Sequence, residues 1–87
     1  MALADDGIEG AVAASRLRLR RSILALMGMH RVPQVKLAAF MGFSQQTLSR
    51  KLGPTGKFDE NEVARVAAFF GHRPEDLYDP ERLMSSG

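Results

Sequence analysis

A chain of 87 residues suits one small domain and leaves little room for a second core. It has no cysteine, which excludes disulfides and thiolate metal sites, and no apolar run near the ~20 residues that cross a bilayer. The net charge of +2 hides a segregation: Arg16, Arg18, Arg20, Arg21, Arg31, Lys36, Arg50, Lys51 and Lys57 occupy a stretch without one Asp or Glu.

The acids all lie outside that stretch, from Asp5 to Glu9 and from Asp59 to Glu81. Solvated protein surfaces usually mix the two signs, so a central block of one sign points to a polyanionic partner. The opening MALADDGIEG is acidic and lacks a long apolar core, so it does not read as a secretory signal. A soluble protein of the cytoplasm is expected.

The elements follow in chain order. Residues 1–10 are small, acidic and interrupted by glycine, and read as a flexible arm or a loosely held helical turn. Residues 11–29 carry apolar Leu19, Ile23, Leu26 and Met27 at helical spacing, which predicts a helix closed by Gly28 or His30. Pro33 sets the start of a short helix over Gln34 to Met41, with Leu37, Ala38 and Met41 inward. Gly42 suits a left-handed helix end, and Ser44 offers an N-cap to a third helix, Gln45 to Leu52. Small Ala38 and Ala39 would let these two helices approach.

Gly53-Pro54-Thr55-Gly56 is a turn signal. Asp59 then caps a fourth helix, with Glu60 and Glu62 at its positive end, Val63, Val66, Ala67 and Phe70 inward, and Gly71 at its close. Pro74, Glu75 and Asp76 begin a short fifth helix through Tyr78, which Asp79-Pro80 ends. No strand pattern appears. The expected architecture is all-α: five helices around one core over residues 11–79, followed by a tail over 80–87.

Two short helices joined through a glycine turn form a helix-turn-helix motif. The third helix turns Leu48 and Leu52 inward and offers Gln45, Gln46, Thr47, Ser49, Arg50 and Lys51 outward. That face has hydrogen-bonding groups and no acid. Glutamine pairs bidentately with adenine in the major groove and arginine with guanine. Thr47 and Ser49 suit bases or phosphates. Gln45, Gln46 and Arg50 therefore read as base-reading residues.

The stretch QVKLAAFMGFSQQTLSRKL resembles the helix-turn-helix of the lambda-repressor-like family, to which phage CI and Cro repressors and the xenobiotic-response-element regulators belong. The likeness runs from Gln34 to about Tyr78 and takes in FDENEVARVAAFFGHRPEDLY. It rests on Gln34, the Leu37-Ala38 pair, Gly42, and Phe43-Ser44. It implies that Gln45 and Gln46 contact bases, that Arg50 is a further base reader and that Gln34 packs near a phosphate. Where the family buries an apolar residue near the end of the third helix, this chain has Lys51. Either Leu52 replaces that contact or Lys51 lays its alkyl stem over the core.

The resulting expectation is a sequence-specific regulator of transcription on double-stranded DNA, by resemblance a small phage Cro-like or immunity repressor that covers a promoter. Gln34, Lys36, Lys51, Thr55, Lys57, Arg20 and Arg21 would hold the DNA backbone. The arginines have a solvated flank as their alternative, and the loop of Thr55 and Lys57 a plain connector. A two-fold dimer is expected, since one recognition helix reads few base pairs. Leu77, Tyr78, Leu83 and Met84 are candidate dimer contacts or core residues. Phe40, on the outer face of the second helix, either packs on the first helix or the long loop or meets a protein. A protein-interaction module, such as an antitoxin or adaptor, is the alternative function, and a non-specific architectural DNA protein a third. No catalytic constellation is apparent, so no enzyme activity, cofactor or small-molecule substrate is expected. His30 and His72 stand apart without ligand-spaced neighbours, so no metal is expected either.

Overall fold

The computed structural model describes the backbone of residues 2–85 and the side chains of residues 10–85. Every regular element is helical: α1 (Ala2–Met29), α2 (Gln34–Met41), α3 (Gln45–Lys51), α4 (Glu60–Phe70), a 3-10 turn (Pro74–Tyr78) and α5 (Pro80–Ser85). The 3-10 turn and α5 pack against α1, the 3-10 turn also packs against α4, and α2 packs against α3 and more lightly against α4. Among the described residues no helix is long and apolar enough to cross a membrane.

One core joins these elements. Leu19, Ile23, Leu26 and Met27 repeat at intervals that place them on one side of α1, and all four are buried. They meet Leu37, Ala38 and Met41 of α2, Leu48 and Leu52 around α3, and Val63, Val66 and Ala67 of α4. Ala39 is exposed, so close approach of α2 to the core falls to Ala38 alone. Phe43, Phe58, Phe69 and Phe70 rim the core, half-buried.

Several helix ends are set by local chemistry. Gly42 (φ 77°) and Gly71 (φ 77°) take the left-handed conformation that reverses the chain after α2 and α4. Ser44 Oγ accepts the Thr47 amide at 3.1 Å. Asp59 and Glu62 form a reciprocal capping box: Asp59 Oδ1 accepts the Glu62 amide at 2.8 Å, and Glu62 Oε1 accepts the Asp59 amide at 2.9 Å.

The structure differs from the sequence expectation at both ends. Helix α1 begins at Ala2, not Ala11, and Ala2, Leu3 and Ala4 are strong helix formers that outweigh Gly7 and Gly10. The segment Pro74–Tyr78 is a 3-10 turn, while α5 occupies residues expected in the tail and buries Pro80 and Leu83. Helix α1 closes at His30, one of its two expected ends; Gly28 lies inside the helix, and the left-handed residue is Arg31 (φ 54°). There the Val32 amide reaches back to the Met27 carbonyl at 2.8 Å, and Val32 packs against the core.

Two stability predictions follow from strain in this frame. Arg31 is exposed and left-handed, a conformation that costs a residue with a Cβ about 1 kcal/mol or more. Arg31→Gly is expected to raise the melting temperature by a few degrees, at about 4–8 °C per kcal/mol for a domain of this size. Ser22 is fully buried on α1, and its hydroxyl has no hydrogen-bond partner. Ser22→Ala removes that orphaned group and is expected to stabilise the fold by about 1 kcal/mol, read by denaturant unfolding. A loss of stability would mean that the hydroxyl fills space the core needs.

Candidate nucleic-acid interface

Helix α3 has one buried residue, Leu48, and Leu52 beyond its end is also buried. At about 100° per residue, Gln45, Ser49, Gln46 and Arg50 fall in sequence across one arc of about 140°, which runs from the edge of the Leu48–Leu52 side at Gln45 to the opposite side at Arg50. All four are exposed. Thr47 lies on the flank and is half-buried. Its Oγ1 accepts the Ser44 hydroxyl at 2.9 Å and lies 3.5 Å from Arg50 Nη2. Thr47 thus ties the cap of α3 to the arginine one turn on, its hydroxyl oxygen accepting both contacts.

Lys51 faces away from this arc. Its ammonium meets Glu62 Oε1 at 3.1 Å and stands 5.2 Å and 5.9 Å from the ring centres of Phe43 and Phe58. Leu52 takes the buried apolar place, and Lys51 lays its stem over the rim with its charge paired. Arg20 is also engaged: its Nε donates to the Leu52 carbonyl, where the chain leaves α3. A cation suits that position, at the negative end of the helix dipole.

The remaining expected backbone contacts divide. Thr55 and Lys57 are exposed and share a shallow groove with Arg50 beside α3. Lys36 is exposed on α2 and Gln34 half-buried at its start. Arg21, 100° around α1 from Arg20, instead lines a groove with Arg18, Asp79 and Glu81 on the α5 side. Two of the four candidate dimer residues, Leu77 and Leu83, belong to the core, at 0% and 5% exposure. Tyr78 and Met84 remain exposed, at 39% and 49%.

Phe40 packs on α4, not on α1 or the loop. Its ring lies 4.7 Å from that of Phe69, and Arg65 Nη2 donates to its carbonyl at 3.1 Å. Arg65 was not legible as a site residue, because the carbonyl it caps is 25 positions away. Arg16 was passed over in favour of Arg21, although its four-residue spacing from Arg20 puts both on one side of α1, facing the 53–58 loop. His30 stacks on Phe70 at 5.6 Å, and His72 Nδ1 lies 3.8 Å from Asp76.

The loop that follows α3 lies hard against its last carbonyls. A Cβ on Gly56 would stand 2.2 Å from the Arg50 carbonyl oxygen and 2.4 Å from that of Lys51. Gly56→Ala must therefore push the loop off the helix and is expected to lower stability by about 1–3 kcal/mol. Gly53→Ala, whose methyl would meet the Arg50 oxygen at 3.2 Å, should be milder in the same thermal melt. Equal effects would mean that the loop closes without close contact at Gly56. No family model matches the chain, and neither a curated protein nor a solved structure is significantly similar to it.

Proposed function

We propose that this protein binds double-stranded DNA sequence-specifically, with α2 and α3 as a helix-turn-helix and α3 as the helix that enters the major groove. The observation that carries the reading is the arc of Gln45, Ser49, Gln46 and Arg50: four exposed hydrogen-bonding side chains, no acid among them, on a helix pinned from behind by Leu48 and Leu52. Glutamines 45 and 46 suit adenine edges and Arg50 suits guanine. Thr47 steadies Arg50, and its hydroxyl proton is left to donate to a base or a phosphate.

Lys57, Thr55 and Lys36, with Gln34, are the groups left to meet phosphates, which fix the register of the helix in the groove. Lys51 and Arg20 set the position of α3 instead, since both are bonded within the fold. The biological role that fits is a compact repressor of the phage type, acting by occupying a promoter. A two-fold pair on a palindromic site would rest on Tyr78 and Met84, the two expected contacts that remain exposed.

A second reading has its own support. Phe40 is 44% exposed on α2 beside Phe69 and Arg65 of α4, and such an aromatic edge suits a protein partner. The two readings part at Arg50, which only DNA binding requires.

Selection of bound duplexes from a random pool at near-physiological salt tests the proposal. An enriched motif is expected, and Gln45→Ala with Arg50→Ala should degrade it, each lost bidentate contact costing about 1–3 kcal/mol of discrimination. Binding without enrichment would point to an architectural protein with steep salt dependence. Absence of binding would overturn the proposal in favour of the protein-interaction reading.

A further inference from the structure

A cleft of about 260 Å³ lies between α1 and the 53–58 loop, on the flank of α3. Its walls combine two chemistries. Leu17, Leu19 and Phe58 give it an apolar surface, and Leu17 is 52% exposed there. Arg16, Arg20, Lys51 and Lys57 also line it, and no acidic side chain does.

These four cations are not equivalent. Lys51 is paired with Glu62, and Arg20 has given its Nε to the Leu52 carbonyl. Arg16 and Lys57 form no ion pair and no side-chain hydrogen bond among the described residues. The cleft therefore presents two free cations and part of a third across an unfilled apolar surface.

We propose that this cleft binds a small organic anion with an apolar body, of the medium-chain carboxylate class. A bare inorganic anion would meet the cations but would lose hydration against Leu17 and Phe58 without return. A neutral apolar molecule would cover the leucines but leave the cationic rim without a counter-charge. A carboxylate head on a short chain answers both, and the volume, below the about 300 Å³ at which drug-sized sites begin, sets a small upper size.

The cleft shares Lys57 and Gly56 with the groove beside Arg50. On the DNA-binding reading Lys57 meets a phosphate, so an occupied cleft competes with DNA for the same charge. Only this competition rests on that reading; the site itself does not.

Titration of the intact chain with octanoate, followed by amide chemical shifts, tests the site. Shifts are expected at residues 16–20 and 53–58. Octanoate should bind about tenfold more tightly than butyrate, octanol or inorganic phosphate, the scale of one charge-assisted contact or a few buried methylenes. Arg16→Gln and Leu17→Gln change exposed side chains outside α3, and each should weaken octanoate about tenfold with the circular dichroism spectrum unchanged. Phosphate binding as well as octanoate, or indifference to Leu17→Gln, would overturn the site. With the duplex motif in hand, octanoate at the concentration that half-fills the parent's site should weaken DNA binding of the parent chain and much less that of Arg16→Gln, whose site it would fill only to about a tenth. Unchanged DNA affinity would overturn the competition and leave the site standing.

Discussion

One carboxylate oxygen joins the end of α3 to the start of α4. Glu62 Oε1 accepts the Asp59 amide and, from the other side, the Lys51 ammonium. The first contact fixes where α4 begins, and the second fixes where α3 ends. The loop between them then has both ends defined, and it closes only because Gly56 brings its backbone directly onto the last carbonyls of α3. Arg20 reaches the same end of α3 from α1. A helix of seven residues is too short to hold its own orientation, and its stability must come from such neighbours. The outward arc of Gln45, Gln46, Ser49 and Arg50 is rigid to the extent that these three contacts are.

The partition of charge along the chain has a structural cause as well as a proposed functional one. Several acids serve helix starts. Asp59 and Glu62 cap α4, Asp76 accepts the Arg73 amide at 3.1 Å ahead of the 3-10 turn, and Asp79 accepts the Arg82 amide at 3.2 Å at the start of α5. Helix starts that carry these acids fall late in the chain, whereas α2 and α3 begin on Pro33 and Ser44, with no acid in their first turns. The middle of the chain is thus left with cations and no local anion. Part of that excess is absorbed internally by Lys51 and Arg20; Arg16, Arg50 and Lys57 stand around α3 and the cleft beside it, and Arg18 and Arg21 face α5.

Much of this architecture was legible where the cause is local. Gly42, Ser44, Asp59 and Gly71 act on residues two to five positions away, and the sequence pattern displayed each of them. The apolar side of α1 was equally plain in the spacing of Leu19, Ile23, Leu26 and Met27. Reading failed where the cause is distant. Arg31 takes a left-handed conformation because Val32 is drawn into the core, against a preference that favours nearby Gly28. Phe40 finds Phe69, and Arg20 finds the Leu52 carbonyl 32 positions on. Lys51 and Leu52 illustrate the boundary: the sequence posed the two outcomes, and the position of Glu62 admits both at once. Gln45, Gln46, Ser49 and Arg50 share one exposed surface with Thr47 on its flank, whereas the expected backbone partners divide by which cations are already bonded within the fold, a distant cause.

Helix α1 is continuous as a hydrogen-bonded element, yet its first fully buried residue is Leu19, Ala14 and Ser15 are half-buried, and residues 10–13 are exposed. In terms of local stability it is two objects in one rod of about 42 Å. Amides from Leu19 to Met29 are protected by the whole core and exchange with solvent only when the domain opens. Amides over 10–18 lean on little besides the helix itself, and they exchange through fraying that leaves the core intact. The boundary between the two regimes falls beside Arg16 and Arg20, so the last turn before the core is also the one that borders α3. Anything that extends protection upstream past that point, whether a ligand or a neighbouring chain, would be felt first as slower exchange in a segment that has no part in holding the fold.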